Sequence, residues 1–205
     1  METTFVTNVS MILGNPASTF ALVGLIVLVL ALLYIKRIPM DTRLVVHIGL
    51  AIALTVVLHT LRLYHMPQGG SVTLGAMIPL LLLAFRYGPA VGYLAGFVYG
   101  LLNLIQDPYI LHPVQVLFDY PLPYMVLGLA GYFKERVMLG TVVAIMGRLV
   151  CHYISGVVFF ASYAPAGMSP YWYSFVFNAA YLIPELIICL LIMRFLPVNW
   201  LLRFR

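Results

Sequence analysis

The stretch from Asp107 to Pro121, DPYILHPVQVLFDYP, sets two aspartates, a histidine, a glutamine and two tyrosines between apolar segments. On a helix starting near Pro113, Gln115 and Asp119 stand four positions apart and project from one face, with Tyr120 adjacent. A carboxylate inside a lipid-embedded segment is costly and faces a protein interior or a wet cavity, which makes Asp119 a candidate ligand contact. The alternative is an acid held at the interface or tied to backbone. Two more polar stripes follow the helical period: His152, Ser155, Gly156 and Phe160, then Ser174, Asn178, Tyr181 and Glu185, with Tyr173 one position round. Taken singly, each residue reads equally well as packing or as an interfacial aromatic belt. Together, a carboxylate, a neutral imidazole, a side-chain amide and aromatic faces suit a flat, partly cationic heterocycle through hydrogen bonds and cation–π contact. A different class, an intramembrane hydrolase, would use Ser155, His152 and Asp119 as a nominal triad. Against it, Ser155 does not stand in a GxSxG nucleophile elbow and lies only three positions from His152 on one helix.

The elements that must position these groups are membrane spans. Of the 205 residues, 63% are hydrophobic and only 8% charged, and the mean hydropathy is +1.05. Soluble domains carry about 25% charge, so the fold class is an all-α polytopic membrane protein. The net charge of +5 is scattered through short loops, forms no patch and points to topology rather than nucleic acid. Cys151 and Cys189 lie in apolar runs and read as packing, so no disulfide framework, metal site or cofactor is expected. No phosphate-binding GxxxxGK[ST] loop occurs, so the chain supplies no ATPase chemistry of its own.

Apolar runs cover residues 17–35, 44–63, 72–85, 89–105, 114–133, 139–162 and 171–195. The run at 72–85 is short enough to be oblique or partly interfacial. Gly92, Gly96 and Gly100 leave one flank of the 89–105 run as nearly bare backbone, open to close approach by a neighbour. Residues 1–16 hold no Lys or Arg and so lack the basic start of a cleaved signal. Lys36, Arg37 and Arg43, then Arg86, then Lys134 and Arg136, then Arg194, Arg203 and Arg205 fall at every second boundary. The loops near 65–71, 106–112 and 163–170 have none, so seven spans are expected, with the N-terminus outside and the C-terminus cytoplasmic. Arg62 and Arg148 break the pattern and must snorkel or pair with a carboxylate. Gly49 and Ala53, one turn apart on the second span, would admit a partner helix or another helix of the same chain.

The runs GGSVTLGAMIPLLLLAFRYG (69–88), GFVYGLLNLIQDPYILHPVQVLFDYPLPY (96–124) and RLVCHYISGVVFFASYAPAGMSPYWYSFVFNAAYLIPE (148–185) resemble the thiamine-specific substrate-binding subunit, or S component, of energy-coupling factor transporters. The resemblance spans roughly residues 44–196, with HPVQVLxDYPL and HYISGVVFF its most specific patterns. It implies a six-helix domain within residues 41–205 that captures thiamine at the outer face of the cell membrane. Such a subunit docks on a transmembrane coupling subunit driven by two ATP-binding subunits. Residues 1–40, with one further span, would be an addition to that core. The implied ligand contacts are Asp119, Tyr120, Tyr109, His152, Gly156, Phe160, Tyr173 and Asn178, with the Gly70-Ser71 loop as a lid and Gly49 and Ala53 as the docking surface. Where family members often carry a glutamate and a tryptophan, this chain has Asp119 and Phe160, with less reach and less stacking area. A subunit for a thiamine precursor or another small heterocycle is the alternative within this class.

Overall fold

The computed structural model describes residue 14 and residues 16–36 and 38–198. Residues 1–13, with their lack of basic side chains, and Arg37, Arg203 and Arg205 of the expected topology lie outside the described residues. The chain runs through α1 (Pro16–Ile35), α2 (Thr42–Thr60), a hairpin of β1 (Arg62–His65) and β2 (Ser71–Thr73), α3 (Ile78–Tyr87) and α4 (Pro89–Gln106). It continues through α5 (Pro113–Asp119), α6 (Pro121–Met125), a 3-10 segment (Val126–Tyr132), α7 (Val137–Phe159), a 3-10 turn (Ala161–Tyr163) and α8 (Pro170–Phe195). Among the described residues five helices, α1, α2, α4, α7 and α8, are long and apolar enough to cross a membrane, and the chain is a multi-pass membrane protein.

Helix starts follow the local chemistry. The Asp41 carboxylate accepts from the Leu44 amide at 2.7 Å to cap α2, and Ser169 Oγ accepts from the Trp172 amide ahead of Pro170 in α8. His112 Nδ1 accepts from the Val114 amide at 3.1 Å and caps α5, whose first residue is Pro113.

Two of the expected spans take another form. The 114–133 run is not one helix: α5 ends at Asp119, α6 restarts at Pro121, and a 3-10 segment completes the crossing. Pro121 and Pro123 donate no amide hydrogen, and a proline disfavours helical backbone at the residue before it, so the break falls beside the candidate carboxylate. The 72–85 run divides into β2, a turn and the ten-residue α3. Ten helical residues rise about 15 Å, half of a hydrocarbon core. The polar loop expected at 64–71 is a hairpin, in which Tyr64 pairs with Val72 and His65 with Ser71. The second span accordingly stops at Thr60 rather than Leu63.

The glycine ladder of α4 is what lets the broken crossing pack so tightly. A Cβ at Gly100 would stand 2.5 Å from Tyr120 O, and one at Gly92 would lie 2.6 Å from Gly128 Cα. Backbone therefore meets backbone along the Tyr120–Gly128 stretch, and any side chain on that flank would drive the two apart. The main core joins α2, α3, α4, α7 and α8 around Leu81, Ala84, Phe85, Ala95, Leu127 and Leu182. A second cluster lies under α1: Phe20, Leu28, Ala31 and Ile35 pack on Phe118, Leu122 and Met125. There Gly24 brings α1 against the Phe118 ring, 2.8 Å from where a Cβ would be.

Candidate ligand-binding site

One cavity opens between the hairpin, the 107–112 loop, α5, α7 and α8. Asp119, Tyr120, Tyr109, His152, Gly156, Phe160, Tyr173, Asn178, Gly70 and Ser71 all line it. The structure thus brings every residue of the expected contact set to one wall or another of a single space.

The polar wall is built from α5 outward. Gln115, buried to 1% exposure, uses both of its amide hydrogens: Nε2 donates to Asp119 Oδ2 at 2.5 Å and to the Tyr109 carbonyl at 3.0 Å. Its Oε1 accepts from the Leu111 amide at 3.0 Å, so the same side chain pins the loop and orients the carboxylate. Asp119 Oδ1 lies 3.3 Å from His152 Nδ1. Tyr120 OH accepts from the Tyr109 amide at 2.6 Å and donates to the Asp107 carbonyl at 2.8 Å, which closes the loop on itself.

The aromatic wall joins loop and helix ends. Tyr109 and Phe160 stack with ring centroids 5.8 Å apart at 26°, and Phe160 tilts against Tyr163. The Tyr109 and Tyr163 hydroxyls meet at 2.9 Å, a hydrogen bond that raises the Tyr109 phenol above its ordinary value. Phe160 caps the end of α7 rather than continuing its stripe.

Gly156 acts through packing. A Cβ there would collide with Ser174 Oγ, so its absence allows α7 and α8 to touch. Across that contact Ser174 Oγ donates to the Tyr153 carbonyl at 2.8 Å, and Asn178 Nδ2 donates to the His152 carbonyl at 3.3 Å. Tyr181 OH donates to Asn178 Oδ1 at 3.0 Å, and the Tyr181 ring lies directly under the hairpin. Gly70 has φ +89°, and a Cβ on it would come within 2.7 Å of that ring. Only glycine meets both conditions here.

The hairpin is fastened at both ends. Thr73 donates its amide to Glu185 Oε2 at 2.5 Å and its hydroxyl to Oε1 at 2.6 Å, with Glu185 fully buried. Glu185 therefore anchors the hairpin and does not line the cavity, unlike the other members of its stripe. At the mouth Arg62 pairs with Asp107 at 2.9 Å, and His65 Nδ1 lies 2.9 Å from Ser71 Oγ. That settles Arg62 as a pairing cation. Arg148 does neither of the things expected of it: it is 3% exposed and pairs with no carboxylate among the described residues.

His59, Asn103, Tyr124 and Arg148 also line the cavity and stand outside the expected contact set. Their signal in the sequence was a polar side chain alone in an apolar run, which Arg148 carried most clearly. The nominal hydrolase triad does not assemble: His152 Nδ1 faces Asp119, but its Nε2 accepts from Arg148 and Ser155 Oγ is buried with no hydrogen-bond partner among the described residues. Gly49 and Ala53 are exposed, and a Cβ on Gly49 would meet nothing within 4 Å, so they do not pack against another described helix of this chain.

The family model described as thiamine transporter protein (Thia_YuaJ) matches residues 45–203, beginning after α1. The chain is 37% identical over 145 residues to the thiamine transporter ThiT of Bacillus subtilis (strain 168), covering 62% of this chain and 75% of that protein. It is 31% identical over 122 residues to the thiamine transporter ThiT of Lacticaseibacillus paracasei, covering 50% of this chain and 61% of that protein. A solved structure of ThiT from Listeria monocytogenes aligns with a TM-score of 0.68 at 24% identity, over 78% of this chain and 95% of that one, and speaks to the fold.

Proposed function

The chain belongs to the thiamine transporter protein family, and from that premise we propose that it is a membrane-embedded substrate-binding subunit that captures thiamine in the cavity beneath the hairpin. The observation that carries this reading is the convergence of Asp119, His152, Asn178 and the Tyr109–Phe160 pair on one space. Thiamine joins a cationic thiazolium to an aminopyrimidine. Asp119 balances the cation or accepts from the amino group, and the aromatic pair offers a face for stacking.

In the same proposal the cavity opens outward. The alternate boundaries with Lys36, Arg43, Arg86, Lys134, Arg136 and Arg194 face the cytoplasm, and the N-terminus lies outside. Transport then needs a transmembrane coupling subunit and two ATP-binding subunits. Gly49 and Ala53 provide bare helix surface for the coupling subunit to approach closely.

The test is a titration of the detergent-solubilised chain with thiamine, followed by quenching of its intrinsic aromatic fluorescence. Saturable binding is expected. Binding of a thiamine precursor in place of thiamine would assign the cavity to the precursor.

A further inference from the structure

Arg148 is a cation buried among neutral groups. Its Nε donates to His152 Nε2 at 3.2 Å, one Nη donates to Met77 Sδ at 2.7 Å, and the other donates to Tyr124 OH at 3.1 Å. The guanidinium carbon also lies 4.3 Å from the centre of the Tyr124 ring. A guanidinium has no acceptor and stays protonated in proteins, so its partner at His152 Nε2 must be a bare lone pair. The ring's single proton is thereby assigned to Nδ1, the nitrogen that faces Asp119 Oδ1 at 3.3 Å.

We infer that Arg148 is a positioning residue: it holds His152 in the neutral Nδ1–H tautomer, so that His152 donates to Asp119 and the carboxylate keeps its negative charge for a cationic ring. A second proton on His152 would set Nε2–H against the Arg148 N–H and place two cations 3.2 Å apart. It would also form an imidazolium that competes with the ligand for Asp119. The groups facing His152 from the other packed elements do not reverse this. Gln115 on α5 donates to the far oxygen of Asp119, Tyr124 on α6 is engaged with Arg148 and Asn103, and Tyr181 on α8 meets the imidazole edge-on at 6.1 Å. Asn178 on α8 touches only the His152 carbonyl. Glu185, the other buried acid nearby, is held by Thr73. The tautomer follows from the contacts of Arg148 and Asp119 with the ring, while its use in cation capture rests on the thiamine reading.

The experiment is nitrogen NMR of the full chain in detergent with ring-labelled histidine, without ligand. The chain has five histidines, and the His152 signal is identified by its loss in His152→Gln. We expect a protonated Nδ1 and a bare Nε2 that persist between about pH 5 and 8, where a free imidazole would titrate. Protonation at Nε2, or a doubly protonated ring within that range, overturns the inference. Thiamine titrations across the same range separate positioning from mere packing. Wild-type affinity should be flat over that range, whereas in Arg148→Met it should fall as the pH is lowered, as His152 charges and claims Asp119. A flat profile in Arg148→Met also overturns the inference, and if that variant fails to fold the wild-type tautomer decides. Absence of thiamine binding to the wild type would count against the thiamine reading and leave the tautomer measurement standing.

Discussion

Asp119 presents the cavity with a carboxylate whose oxygens are already aimed, one by Gln115 and one by His152. A ligand cation therefore meets a group that needs little reorganisation on binding. Hydrogen bonds to a charged group contribute about 1.5–3 kcal/mol, so Asp119→Asn should weaken thiamine binding roughly ten- to a hundredfold at neutral pH. Unchanged affinity, measured by titration, would remove Asp119 from the contact set. Phe160 contributes a ring already stacked on Tyr109, so Phe160→Ala should lose affinity while Phe160→Trp keeps or improves it. Equal affinity for all three would place the ligand away from this wall. Asp119 was legible from sequence because a charge in an apolar run needs a reason. His59 and Asn103 were not, since one polar side chain in a long apolar helix reads the same whether it faces a cavity or a neighbour. Their contact with each other, 3.3 Å between Asn103 Nδ2 and His59 Nδ1, joins residues 44 positions apart and is invisible to local spacing.

Among the elements, the hairpin departs most from a reading made of spans alone. The loop near 65–71 was plain as a gap between apolar runs, but the Thr73 end of the Arg62–His65 and Ser71–Thr73 pairing is held by Glu185, more than a hundred residues away, which accepts from both Thr73 donors. Glu185→Ala should leave the buried Thr73 amide unsatisfied, at a cost of about 1–3 kcal/mol, seen as a lower thermal midpoint in detergent. An unchanged midpoint would mean that the hairpin is held from elsewhere. The glycines at 92, 96 and 100 announced a close neighbour on α4. Which backbone it was, and that it would be a helix interrupted at Tyr120, follows from Pro121 and Pro123 acting against the apolar run they sit in. On α2, Gly49→Trp or Ala53→Trp projects into open space. If the proposed coupling subunit docks here, either variant should bind thiamine normally yet abolish uptake and co-purification with that subunit. Persistent uptake would contradict docking through this face, and lost thiamine binding would tie it to the fold of the subunit itself.

On the scale of the whole molecule, α1 stands apart from the family match and still packs on the helix that carries the site. Its Phe20, Leu28 and Ala31 cover the same cluster as Phe118, the residue beside Asp119. A second span count taken from basic residues alone could not reveal this, because charge patterning orders loops and says nothing of which helices touch. The cavity, the broken crossing and the anchored hairpin together form one device, in which rigid helices hold Asp119, His152 and Asn178 and a glycine-bearing hairpin lies across them. This device is built to receive thiamine. The most direct test is an experimental structure of the chain purified in saturating thiamine. Ligand density is expected beneath Gly70, with the cationic part within ion-pair reach of Asp119 and a ring against the Tyr109–Phe160 wall. Density for thiamine at any other place on the chain, or an empty cavity at saturation, would contradict it.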